Sequence, residues 1–324
     1  MVFPLIAAAL AVLACLLVGG TAGLVVEKMR PRQAVLLLGA ASLAVSLAAG
    51  AALTAIAVAM LASLTSVAAK GHWSASVIRA EIPVPGWLGA LAALAVGVLL
   101  CRAAIRSVEI VLALVRADQL CREFRAGGGP VVMVDDDSAD AYTVAGIRGC
   151  VVISRRLFSK LSEDERRVLT AHELSHLHQR HHLYVHVADI AAAANPLLRR
   201  VPAVVRLGVE RWADEDAAAD IGDRRTAGRA LARVALLRSS LAKGIGELPA
   251  KQTDQRIPVL GVGALQVASR VQALLQPARR PRTGRVTIAV VLSIGVLAIG
   301  VASLENIHDA IQSAGPYLHR MNRP

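Results

Sequence analysis

The sequence predicts a mainly α-helical protein that crosses a membrane several times and carries a mixed α+β segment outside the bilayer. Three observations lead there. Of 324 residues, 55% are apolar and only 3% aromatic, with a mean hydropathy of +0.53. Soluble domains sit nearer ~45–50% apolar, and apolar mass made of Ala, Val and Leu suits helices in lipid better than a barrel with aromatic girdles. Four stretches are long enough to span, since a helix needs about 20 residues to cross ~30 Å of hydrocarbon. Between the third and fourth stretches the composition turns charged, with short strand patterns.

The first span runs from about residue 3 to 26. It lacks a basic leader, and VLAC at residues 12–15 is a poor lipoprotein box, so it reads as a retained span rather than a cleaved signal. The second lies within residues 34–69, either as one tilted helix or as a hairpin of two short spans. The third covers residues 87–112 and the fourth 286–304. With one span in 34–69, Lys28, Arg30 and Arg32 share a side with Arg106, Arg116, Arg279, Arg280, Arg282 and Arg285. Basic residues near span ends stay cytoplasmic. The expected division is therefore 1–115 as a membrane domain with three spans, 116–285 as a cytoplasmic domain, 286–304 as the last span and 305–324 as a short extracytoplasmic tail. A hairpin would put residues 116–285 outside.

The net charge is +12. In a membrane protein such a balance fits loops beside anionic lipid, and no nucleic-acid motif is present. The lipid bilayer is the expected partner and direct nucleic-acid binding is not expected. Cys15, Cys101, Cys121 and Cys150 show no C-x-x-C spacing, so neither a disulfide framework nor a cysteine zinc site is expected.

Within 116–285, residues 130–134 (PVVMV) read as a buried strand, broken by Asp135, Asp136, Asp137 and Ser138, a solvated turn or a cation site. Residues 141–154 read as strand, Gly-containing bend and strand. Ser162-x-x-Glu165 is a capping box that opens a helix through 163 to about 182. That helix is expected to continue through LYVHVADIAAAA until Asn195 and Pro196, packed in a core or touching the bilayer. Pro202 opens a further helix that ends at Gly222. A basic amphipathic helix (225–243), a loop (244–263) and a short helix (264–276) follow.

The chemistry concentrates at residues 172–176, His-Glu-Leu-Ser-His. On a helix, residues four apart sit on one face, so His172 and His176 can offer two imidazole nitrogens to one metal ion. Glu173 lies beside that face, placed to act as general base. This is the HExxH zinc motif. A catalytic zinc takes three protein ligands and keeps one open position, and Glu210, in Glu-Arg-Trp-Ala-Asp, is the candidate third. Asp214, four residues on, can accept a hydrogen bond from a ligand imidazole and fix its tautomer. His178, His181, His182 and His186 read as solvated or interfacial, with one of them available to polarise a substrate carbonyl. The strand at 150–154 is expected to be an edge that pairs with an extended substrate.

HELSH followed by E-x-x-A-D resembles the integral-membrane gluzincins, namely the BlaR/MecR-type transducer peptidases and, more distantly, the CAAX prenyl protease and heat-shock membrane protease group. ISRRLFSKLSEDERRVLTAHELSH is similar to the run leading into the BlaR/MecR-type active-site helix, and ERWADEDAAAD to its third-ligand helix. The resemblance covers about residues 140–240, plus three spans before and one after. It implies a zincin-like metallopeptidase domain with Zn2+ held by His172, His176 and Glu210, and Glu173 as base. The substrate would be a polypeptide, and a transcriptional repressor cleaved in regulated signalling is one target the resemblance allows. The β-lactam-sensing members carry a large extracellular penicillin-binding domain after the last span. Here about 20 residues follow it, so β-lactam sensing is not expected. Membrane-protein quality control and a proteolytically idle signal transducer stay open as alternatives, and the sequence leaves the oligomeric state open.

Overall fold

The structure is a computed structural model that describes residues 3–124, 128–135, 140–146, 148–244, 260–277 and 283–315. Asp136, Asp137 and Ser138, residues 245–259 of the expected loop, 278–282 of the basic run and 316–324 of the tail lie outside the described residues.

Helix α1 (Phe3–Lys28) and helix α2 (Pro31–Ser63) form a hairpin. Arg30 is extended and Pro31 opens α2, where its fixed φ suits a first turn. Within the stretch 34–69, residues 34–63 thus belong to one long helix and not to two short spans. At about 1.5 Å per residue its 33 residues reach about 50 Å, longer than the hydrocarbon core. Leu64 ends it in an extended conformation. Two short helices follow, α3 (Thr65–Gly71) and α4 (Ala75–Glu81), and then α5 (Gly86–Phe124). Among the described residues, four helices are long and apolar enough to cross a membrane, with apolar stretches Leu5–Lys28, Pro31–Ser63, Gly86–Phe124 and Ile294–Ala314. The protein is a mainly α, multi-pass membrane protein with a small α+β part.

Helix α5 continues past the expected end at 112 because its last turns have a second task. Cys121 packs with Cys150 and Val152 under a small sheet. That sheet has strands β1 (Val131–Val134), β2 (Ala141–Val144) and β3 (Cys150–Ser154) in the order β1-β3-β2. β3 runs parallel to β1 and antiparallel to β2. It is therefore the central strand, and the expectation that residues 150–154 form a substrate-pairing edge is overturned. All five of its residues are buried. An unbroken apolar run such as Cys-Val-Val-Ile marks a strand covered on both faces rather than an edge.

Helix α6 (Arg155–Ser159) leads into α7 (Glu163–His178). Ser162 Oγ accepts from the Glu165 N–H, and Glu165 Oε2 accepts from the Ser162 N–H at 2.8 Å, while Glu163, Asp164 and Glu165 suit the positive end of the helix. The expected continuation past 178 does not occur. Arg180 adopts a left-handed conformation at φ 52°, and the chain restarts in a new direction as α8 (His181–Ala194). A short 3-10 turn (Pro196–Leu198), α9 (Val201–Ile221), α10 (Arg224–Gly244), α11 (Leu260–Leu275) and α12 (Thr283–Ala314) complete the chain. α9 has Pro202 in its first turn and stops at Gly222, whose φ of 76° only glycine adopts freely. α12 runs ten residues past the expected end at 304, because Ile307, Ala310 and Ala314 pack against Ala55, Ala59 and Ala62 of α2 and Ile78 of α4.

The α8–α9 hairpin packs the segment that follows the sheet against the membrane-spanning helices. Ala188, Ala191, Leu198, Val201, Val205 and Val209 share one core with Val26 of α1 and Val35, Leu38 and Val45 of α2. Ser46 donates to the Ala191 carbonyl at 3.2 Å, and Asn195 Nδ2 donates to Cys15 Sγ at 2.9 Å. A side chain at Gly19 would meet the Leu197 carbonyl oxygen at 2.8 Å, so the turn sits directly on α1. On the other side, Val151, Ile153, Leu157, Leu161 and Leu169 pack with Val234 and Leu237 of α10. Each such side chain contributes roughly 1.5–3 kcal/mol when fully buried.

Candidate metal centre

Helix α7 sets His172 and His176 one turn apart, and α9 lies against it. The two Nε2 atoms are 3.2 Å apart. Glu210 reaches across from α9, with Oε2 3.6 Å from His172 Nε2 and Oε1 3.5 Å from His176 Nε2. One ligand atom from each of the three lies within 4.8 Å of the others, and among the described residues no other His, Cys or carboxylate trio gathers this way. Bonds of ~2.0–2.1 Å at tetrahedral angles place ligand atoms about 3.3 Å apart. Two imidazole nitrogens and one carboxylate oxygen at these separations fit a zinc ion and leave a fourth position open.

Each group is held by another. His172 Nδ1 is 3.1 Å from Asp214 Oδ1. Arg270 of α11 donates to both oxygens of Asp214 and lies 2.9 Å from Glu210 Oε2. His176 Nδ1 faces His181 Nδ1 at 3.1 Å. Glu173 is buried, and the Thr143 hydroxyl of β2 lies 2.9 Å from its Oε2 and 2.8 Å from its backbone carbonyl oxygen. Ser175 donates to Asp216 at 2.7 Å, a further tie between α7 and α9.

The charges explain what the site wants. Glu173, Glu210 and Asp214 face one fixed cation, Arg270. Burial opposes charge on the His172 ring, but the hydrogen bond to Asp214 and the Glu210 carboxylate overcome it and raise its pKa to about 10. Burial likewise opposes the Glu210 charge, yet its hydrogen bond with His172 and the Arg270 guanidinium hold it far below the usual carboxylate range. Burial lowers the His176 pKa, against the pull of Glu210. His181 drops to about 3 through burial and the neighbouring His176. A cluster with an excess of anionic side chains and two imidazoles is electrostatically matched to a divalent cation.

The ligand cluster opens on a cavity of about 1480 Å³, with β2 along one wall, α8 along another and α10 and α11 opposite. Glu210 keeps 39% of its side-chain surface, on the cavity side.

All five residues singled out from the sequence, His172, Glu173, His176, Glu210 and Asp214, come together here. Three contributors escaped it. Arg270 lies 56 residues beyond Asp214, on a helix that carried no motif. Thr143 is an ordinary strand residue. His181 was expected among four solvated or interfacial histidines, but it is 1% exposed and packs against Trp212, the rings tilted and their centroids 4.6 Å apart. The break at Arg180 turns it inward. His178 is exposed, and His182 and His186 are half-buried in the cavity wall.

No curated protein and no solved structure matches the chain. A match to a protein-family model is found, and it covers the stretch that holds the cluster. Residues 113–238, which begin inside α5 and carry His172, Glu173, His176, Glu210 and Asp214, match the model of Peptidase family M48, and this, with the spanning-length helices, points to a membrane-associated metallopeptidase.

Proposed function

We propose that the chain is a zinc-dependent endopeptidase that cleaves polypeptides at a membrane surface, with His172, His176 and Glu210 as metal ligands and Glu173 as general base. The convergence of the three ligand atoms within 4.8 Å carries this reading. The bound zinc ion would supply Lewis-acid polarisation. Glu173, held against Thr143, takes a proton from a water as the water oxygen attacks the scissile carbonyl carbon. It then delivers that proton to the amide nitrogen as the C–N bond breaks. Asp214 holds the His172 Nδ1–H, which keeps Nε2 free to coordinate. Ala141, Tyr142 and Thr143 line the cavity beside Glu173, and β2 is an edge strand, so an extended substrate pairs with β2.

The catalytic half shares its core with the α1–α2 turn, where Lys28, Arg30 and Arg32 lie. Basic residues at span ends favour the cytoplasmic side, which supports a cytoplasmic catalytic domain over residues 116–285. The resemblance to BlaR/MecR-type peptidases supports a single regulated substrate, such as a transcriptional repressor. The size of the cavity supports the alternative, broad cleavage of misfolded membrane proteins.

The test uses the full chain in detergent and its Glu173→Gln variant. Both are expected to bind one zinc per chain, and only the native protein to cleave peptide. Cleavage by Glu173→Gln rejects the base assignment, and native protein without zinc rejects the metal assignment. Comparing cellular proteomes with the two forms separates one stabilised substrate from many.

A further inference from the structure

The two ligand histidines are backed by different chemistry. A ring that coordinates through Nε2 carries its proton on Nδ1, and that N–H needs an oriented acceptor. For His172 the acceptor is the Asp214 carboxylate. At the corresponding place behind His176 stands the Nδ1 atom of His181, 3.1 Å away, within hydrogen-bond range. We propose that His181 is a positioning residue for His176: a neutral imidazole whose Nδ1 accepts the His176 Nδ1–H and so directs His176 Nε2 to the metal. The proposal rests on the zinc reading above.

Three observations support it. First, no carboxylate or carbonyl competes for the His176 Nδ1 position among the hydrogen bonds of the described residues; acceptance at His181 Nδ1 puts that ring's proton on Nε2, which is buried without a hydrogen-bond partner among the described residues. Second, the ring is immobilised. It is 1% exposed and begins α8 immediately after the left-handed Arg180. Trp212, two residues after Glu210, packs against it with the rings tilted by 58°, and Arg32 of α2 lies over the Trp212 ring at 5.5 Å. Third, charge explains the choice of residue. Glu173, Glu210 and Asp214 already face a single arginine, and a fourth carboxylate behind His176 would add uncompensated negative charge in a buried place. A neutral acceptor orients the ring without it.

The experiment measures zinc affinity by chelator competition, together with kcat and KM, on the full chain in detergent. In His181→Leu, which removes the acceptor, zinc affinity is expected to fall about 10- to 100-fold, and kcat to fall more than KM changes. In His181→Asn, whose Oδ1 can stand where Nδ1 stood, affinity should return to within a few-fold of native. His176→Ala serves as reference. If it binds zinc normally, or the native chain binds none, the metal reading itself fails. If His176→Ala loses zinc while His181→Leu keeps native affinity and kcat, the positioning role is overturned and the metal reading stands. Equal losses in the Leu and Asn variants also overturn it, since packing rather than the acceptor would then be at work. Should His181→Leu not fold, His181→Met, which repacks more easily, takes its place under the same outcomes.

Discussion

Arg270 and Asp214 meet at two points, Nε to Oδ2 and Nη2 to Oδ1, both at 2.7 Å. Forked contacts of this kind are the strong form of an ion pair. Asp214 is 5% exposed, so removing the arginine leaves a buried carboxylate beside Glu210. Arg270→Met should destabilise the catalytic half by roughly 3–5 kcal/mol and weaken zinc retention. Arg270→Lys should recover part of both, because a lysine restores charge but not the fork. Thermal unfolding and zinc content of the purified variants decide, and a native melting curve in Arg270→Met would refute the clamp.

Asp214→Asn keeps the size of the side chain and removes its charge. Zinc affinity should drop about 10- to 100-fold, the usual effect of losing a ligand's outer partner. Chelator competition measures it, and an unchanged value would mean that His172 is oriented by something else.

Thr143 touches Glu173 without belonging to the ligand set. Thr143→Val should lower kcat about tenfold, the equivalent of ~1.4 kcal/mol, and leave zinc stoichiometry at the native level. Thr143→Ser should restore turnover. A Thr143→Val enzyme with native kcat would show that Glu173 needs no such support.

In the membrane bundle, a side chain at Gly300 of α12 would lie 2.9 Å from both the Cα and the carbonyl oxygen of Ala48 in α2. Backbone cannot yield as a flexible side chain can, and close approach through small residues is how helices associate in lipid. Gly300→Val should cost about 1–3 kcal/mol and lower the melting temperature in detergent. Gly295→Val, on the same helix with nothing within 4 Å, should not. Equal melting of the two variants would contradict this packing.

The His172–His176 pair was legible because HExxH is written in consecutive residues of one helix and needs only the helical repeat. Glu210 and Asp214 were legible as a second local pattern, and the four spans by length and apolarity alone. What stayed hidden depended on direction. One left-handed residue, Arg180, redirects the chain, so His181 turns inward where an extrapolated helix would leave it on the surface. The strand order β1-β3-β2 is set by the return of the chain between two earlier strands, and it makes β2, not residues 150–154, an edge. Arg270 comes from a helix with no motif, brought in by packing in which Arg224 binds the Ala273 and Leu274 carbonyls at the end of α11.

The hairpin tip around Asn195 and Leu198 is seated against Cys15 and Gly19 in the first helix. Half of the interior behind Glu210 is thus lent by residues that sit more than 150 positions upstream. Cutting the chain on both sides, before residue 116 and after residue 285, would not release a self-sufficient domain. Residues 116–285 on their own would bare an oily seam of Leu198, Val201, Val205 and Val209 and clump. Attachment to the spanning helices is built into how this protein folds.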